Sequence, residues 1–316
     1  MKIFIILGSG NSGAGAIHDY LLSRDDFFSP FKGKEFRLIN DPDGLDELYN
    51  SFYKNFSING VSSKFNNFSN FLINFYYSRY NKKNKILNKN FLRISEKFLT
   101  KIISLQYNGA PQFYLDKLNI QKKINFYFQR IILKKHPKDI KLLNMIMPCN
   151  ENLFFSLCYD YLYEIFKLSE DYDEKKNIVI EQGGNFISPI SSTKYYGENR
   201  EIIFVKRNPK AIFWSMKRRN SMAYPGYDVK LFVEWFKKIH EKINFREFDE
   251  IITVNYEEFF SNFEEQKKNL CLKLKINANI KDNFDLISTK KNLTKFEDNL
   301  SDKEIEYIDK ELKDFL

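Results

Sequence analysis

The spacing of apolar positions changes several times along this chain, and each change marks a different kind of element. Residues 2–7 read Lys-Ile-Phe-Ile-Ile-Leu, a near-continuous apolar run that predicts a strand buried on both faces. Gly8 to Gly13 turn the chain, and Ala14–Arg24 brings Ile17, Leu21 and Leu22 onto one helical face. A short strand is expected over Glu35–Ile39, closed by the turn signal Asn40-Asp41-Pro42-Asp43-Gly44. Residues 45–170 have another character: Phe, Tyr, Asn and Lys crowd the sequence and glycine is scarce. Amphipathic stretches of helical length cover Asn67–Arg79, Phe91–Leu105 and Leu153–Leu168. This region is expected to be a helical insertion in a single α/β domain spanning 1–316, covering one end of the sheet and shaping an acceptor pocket.

Beyond residue 175 strands and helices alternate. Strands are expected at Asn177–Gln182, Glu201–Val205 and Ile251–Val254. Helices are expected from the Arg207–Ser215 segment to about Arg219, over Asp228–Asn244 with Leu231, Phe232, Trp235, Phe236 and Ile239 on one side, and over Phe263–Leu274. A last helix starts at Ser301, whose hydroxyl can cap it with Glu304 as the reciprocal partner. The alternation implies α/β architecture with a parallel sheet of about five strands and ligands at the strands' carboxyl ends.

Composition narrows the chemistry. The net charge of +9, from 50 basic and 41 acidic residues, favours anionic ligands or contact with a membrane surface. No apolar run approaches the ~20 residues of a transmembrane helix, and the apolar N-terminus ends in Gly-Ser-Gly rather than a cleavage site. Three scattered cysteines give no disulfide framework, which points to a reducing, cytoplasmic setting. Three histidines without metal-binding spacing argue against a metal centre. The aromatic residues lack the sheet pattern of a base-stacking platform, so no nucleic-acid partner is expected.

Two segments carry candidate chemistry. Gly8-x-Gly10-x-x-Gly13 follows a strand and opens a helix, as a dinucleotide-binding turn does. Scored instead as an ATP-binding loop it fails, because Ala14 and Gly15 stand where a lysine and a hydroxyl are required. A third reading is a loop whose backbone N–H groups hold the 5′ end of an adenylate without a metal. An NAD(P)-dependent oxidoreductase or epimerase stays open on this segment alone. The second segment is Ile202-Ile203-Phe204-Val205-Lys206-Arg207-Asn208-Pro209, with Ser215 eight residues after Arg207. Arg207 can fork onto a phosphate monoester, Pro209 suits a first helical turn, and Ser215 can offer its hydroxyl to the same phosphate.

Strand-Arg-x-Pro closing on Ser215 resembles the 3′-phosphate-binding segment of PAPS-dependent sulfotransferases. Gly10-Asn11-Ser12-Gly13-Ala14-Gly15 resembles their 5′-phosphosulfate loop, and Val254-Asn255-Tyr256-Glu257-Glu258-Phe259 is similar to a motif late in bacterial members. The resemblance spans residues 1–41 and about 175–316, and implies a P-loop-like three-layer fold. It also implies PAPS as co-substrate, PAP as product, and no metal. The sequence departs from the family at Asn11, where a lysine or arginine is usual, and at Ala14 and Gly15, where hydroxyls are usual. A cation then has to reach the loop from elsewhere, with Lys34, Arg37 and Lys206 as candidates; Lys290-Lys291 or Arg218-Arg219 would stand in for a missing basic clamp on the 3′-phosphate.

Gly33-Lys34-Glu35-Phe36-Arg37 is similar to the Lys-Glu segment that supplies the base in carbohydrate sulfotransferases. The resemblance implies Glu35 as base and Lys34 or Arg37 as charge stabiliser. His18 and His136 are weaker candidates for that role. The implied partner is a hydroxyl on a small molecule, glycan or glycolipid. A non-catalytic protein of the same fold, having lost the loop cation, is the other alternative.

Overall fold

The run Ile3–Leu7 forms strand β1, with all five residues buried, and β1 lies at the centre of a parallel five-stranded sheet. Phe27–Phe28 forms β2, Asn177–Glu181 forms β5, Arg200–Lys206 forms β6 and Ile252–Asn255 forms β7. Their order is β2-β5-β1-β6-β7, and every neighbouring pair is parallel. β3 (Ile103–Gly109) and β4 (Leu143–Pro148) form a separate antiparallel ribbon. The computed structural model describes all residues except 79–80, 83–86, 137–139, 141–142, 244 and 316. The expected helix ends at Arg79 and Asn244 therefore lie outside the described residues.

The chain divides into two compact units, Met1–Phe36 with Ser169–Leu316, and Arg37–Leu168. The first is an α/β unit. One sheet face, through Phe4, Ile6, Val179, Ile203, Val205 and Val254, packs with the helices Ala14–Leu22, Tyr256–Ser261 and Phe263–Leu274. A second cluster joins the helices Pro209–Arg218, Val229–His240 and Asp302–Glu311. Local signals explain the ends of these helices. Asp228 caps Val229–His240, and Ser301 with Glu304 forms a complete capping box.

Two expectations are corrected. Glu35–Ile39 is not a strand: the second strand of the sheet lies earlier, at Phe27–Phe28. Turns take the backbone of the later segment, with Lys34 N–H donating to the Phe31 carbonyl (3.0 Å) and Asp41 N–H to that of Arg37 (3.1 Å). Phe36 turns inward and stacks on Phe31, with ring centroids 4.4 Å apart. The second correction concerns residues 45–170, which are not wholly helical. The expected helix Phe91–Leu105 stops at Lys101, and the alternating Ile103–Gly109 enters the β3–β4 ribbon instead. Several aromatic residues of this unit pack its interior, as where Phe98 stacks on Tyr161 at 4.3 Å. Among the described residues no helix is long and apolar enough to cross a membrane.

Candidate functional site

Strand order locates the site before any side chain does. The chain leaves β1 toward β2 at one edge, and leaves β6 toward β7 at the other. β1 and β6 are neighbours, with Leu7 paired to Phe204, so a crevice opens beyond their carboxyl ends. The glycine loop leaves β1 and Arg207 leaves β6 at that place.

The loop is shaped to expose backbone donors. Asn11 and Gly13 both have left-handed backbone, with φ of 65° and 86°. Asparagine and glycine adopt that region more readily than lysine or arginine, a local reason for Asn11 at this position. Gly13 precedes the helix Ala14–Leu22, which has no side-chain cap and no acidic residue in its first turn. Its first N–H groups and the positive end of its dipole therefore suit an anion. Ser12 N–H donates to the Ser9 carbonyl at 2.9 Å, and the Gln182 amide donates to the Gly8 carbonyl at 3.2 Å. A Cβ at Gly15 would lie 2.9 Å from a Glu181 carboxyl oxygen, so the end of β5 comes close to the start of this helix. Ala14 is buried in the sheet-face cluster.

Arg207 ties the two loops together. One guanidinium nitrogen, Nη1, donates to the Asn11 carbonyl at 3.0 Å and to Ser215 Oγ at 3.2 Å. The guanidinium carbon lies 4.6 Å from the centroid of the Tyr256 ring, and Nε is 4.0 Å from Glu257. Burial lowers the pKa of Arg207; Tyr256 and Glu257 oppose that effect, and the charges of Arg219 and Arg218 add to it. Ser215 is held where Arg207 can reach it because Pro209 starts the helix and Asn208 caps it, accepting from Lys210 N–H at 2.9 Å. Glu257 accepts from Asn208 N–H at 3.1 Å.

Among the described residues three buried side-chain atoms have no hydrogen-bond partner: Ser12 Oγ, His18 Nε2 and Arg207 Nε. All three belong to the two loops or the helix that follows the first. Buried polar groups are ordinarily satisfied, and their concentration here makes the two loops the candidate site.

A carboxylate pair lies on the side of the loop away from Arg207. Phe36 N–H donates to the Glu181 carbonyl at 2.9 Å, which fixes the Lys34-Glu35 segment beside the end of β5. The Glu181 carboxyl is pushed up to about 7, first by burial. His18 and Lys34 pull it down, while the nearby charges of Glu35 and Asp19 push it up. Burial also raises Tyr224, and the Glu35 charge raises it further. The Tyr224 ring packs on Gly10 and stands edge-on to Trp235, with centroids 5.5 Å apart.

The remaining expected residues are placed differently. Lys34 is near enough to act on Glu181. Arg37 falls in the other compact unit, where it pairs with Asp41 at 2.7 Å. Lys206 is exposed at the end of β6, and Arg218 and Arg219 are exposed while acting on Arg207. Lys290 Nζ donates to the Ser261 carbonyl at 3.4 Å. His18 is fully buried, whereas His136 is exposed. Sequence reading missed Glu181 and Tyr224. An acidic residue ending a buried parallel strand next to β1 was an available signal for Glu181, since ligands meet such strand ends; Tyr224 carried none. No protein-family model matches the chain, and no curated protein matches it either.

Proposed function

We propose that this chain is a PAPS-dependent sulfotransferase acting on a hydroxyl, with a sugar or glycolipid as the acceptor class. The observation that carries the reading is Arg207. Its side chain, 8% exposed, lies at the crevice between β1 and β6, bonded to the glycine loop and to Ser215, with no hydrogen bond to Nε. A phosphate monoester offers several acceptors to such a group. The strand order supports the same reading, because dinucleotide-binding sheets place the second strand beside the first, whereas β5 stands between β2 and β1 here.

PAPS, when bound, supplies a sulfuryl group already activated on a 5′-phosphate. Backbone N–H groups of Gly10 to Gly15, with the Ser12 hydroxyl, hold the 5′ end against the helix N-terminus. Arg207 and Ser215 hold the 3′-phosphate, and the charges of Arg218 and Arg219 favour the anion there. Arg207, bonded to the Asn11 carbonyl, brings to this loop a positive charge that Asn11 does not. Glu35 takes the acceptor proton as the new O–S bond forms and the bond from sulfur to the 5′-phosphate breaks. Lys34 offsets negative charge beside it. Glu181, protonated below about 7, adds no full second charge next to Glu35. Arg37, paired with Asp41, is not needed for these steps.

The test is a thermal-shift series with PAP, NADP and ATP, followed by transfer of labelled sulfate from PAPS to a glycan panel. Saturation at about a hundred times Kd stabilises by ~2.7 kcal/mol, which a melting curve resolves. A shift with PAP and transfer abolished by Glu35→Gln are expected. A shift with NADP alone would overturn the reading, and PAP binding without transfer would leave a binding protein.

A further inference from the structure

We infer that Ile120–Ile132 is an interfacial anchor that seats on an anionic lipid bilayer. The helix Ile120–Tyr127 runs directly into the wider helical turn Phe128–Ile132, and neither contains a buried residue. Ile120, Ile124, Tyr127, Phe128, Ile131 and Ile132 are all exposed, Ile120 by 75% and Ile131 by 65%. Their spacings of four, three, one, three and one place them along one helical face. The segment is attached by another side, where Lys123, Phe126 and Gln129 are half-buried. Its apolar face thus points into solvent, the reverse of a helix that packs on its own protein.

Charge selects the occupant. From Lys117 to His136 the chain carries six lysines and arginines and no aspartate or glutamate. Lys123 and Arg130 bond to backbone carbonyls of Asp116 and Lys135, and Lys135 reaches the Gln129 side chain. An apolar stripe bordered by cations matches the boundary between acyl chains and anionic headgroups. A second copy of the chain would bring the same positive border and be repelled. This inference does not depend on the proposed sulfotransferase activity.

Co-sedimentation of the full chain with vesicles tests it, using phosphatidylcholine alone and with about 30% phosphatidylglycerol. Binding to the anionic vesicles is expected, with weak binding to neutral ones and a drop of about tenfold on raising salt. Two double variants, Ile124→Asp with Ile131→Asp and Lys122→Glu with Arg130→Glu, should each weaken partitioning by about tenfold or more. Both alter exposed side chains, so melting temperature should not move. Failure to bind anionic vesicles, or undiminished binding by the isoleucine variant, would overturn the inference. So would a dimer in gel filtration that the isoleucine variant abolishes without any lipid binding, which would assign the face to a second copy.

Discussion

Arg24 and Arg207 lie in the same compact unit with side chains 0% and 8% exposed, and their guanidinium groups are partnered in opposite ways. Arg24 meets Asp26 through two bonds of 2.9 Å, the Asn277 carbonyl at 2.8 Å and Cys271 Sγ at 3.4 Å. Burial, the largest single effect, would lower its pKa, but Asp26 together with Cys271 and Tyr20 outweighs it and the net shift is upward. Arg207 has a carbonyl, a hydroxyl, the face of the Tyr256 ring and a carboxylate 4.0 Å away; its net shift is downward, with burial the first cause. The first arginine is complete within the fold. The second is short of an anion, and a buried cation without a close counter-charge is costly unless something supplies one.

The largest expected effect breaks the complete member. Arg24→Met leaves Asp26 partly buried without its cation and should destabilise the protein by ~3–5 kcal/mol in urea unfolding. PAP affinity of the folded variant should be unchanged. Arg207→Ala should show the converse, losing about 1.5–3 kcal/mol of PAP binding by calorimetry while changing stability by ~1 kcal/mol or less. A stability loss as large as that for Arg24 would make Arg207 a structural residue and end the contrast.

Glu181 sharpens it from the acidic side. Its folded pKa of about 7 lies above the ~4.3 of an unfolded glutamate. The native state therefore holds a proton that the unfolded state has lost. The associated stability is fully present below ~4.3 and disappears as pH rises through about 7. Glu181→Gln should accordingly raise stability by about 1–3 kcal/mol at high pH and by less near pH 5, measured by urea unfolding at both. The smallest effect is Ser215→Ala, which leaves Arg207 its bond to Asn11 and should weaken PAP by ~0.5–1.5 kcal/mol.

Where the fold follows from short-range physics, the sequence was readable. β1 is apolar along its whole length, Phe263–Leu274 has the expected bounds, and Ser301 with Glu304 forms the expected cap. Arg207 and Ser215 were readable as a pair because a helix started by Pro209 fixes their separation. β2 was not readable: two residues cannot display a periodicity, and Phe27–Phe28 is a strand only because Asn177 and Ile178 pair with it. β3 was hidden for a related reason, since its partner β4 is supplied from far along the chain. Glu181 and Tyr224 reach the glycine loop from 166 and 214 positions beyond Gly15 and Gly10, respectively. Only the assembled sheet and the loop after Pro209–Arg218 bring them there.

The pairing of β2 with β5 has a consequence for how the chain is put together. Phe27 lies opposite Asn177, Lys32 reaches Glu170 at 2.9 Å and Phe36 bonds to Glu181, so both ends of the excursion Arg37–Leu168 are fastened to one edge of the sheet. The excursion is a loop in the topological sense, and closing a loop costs only ~0.6 kcal/mol more for each doubling of its length. The cost of joining β2 to β5 therefore depends only weakly on how much chain the excursion contains.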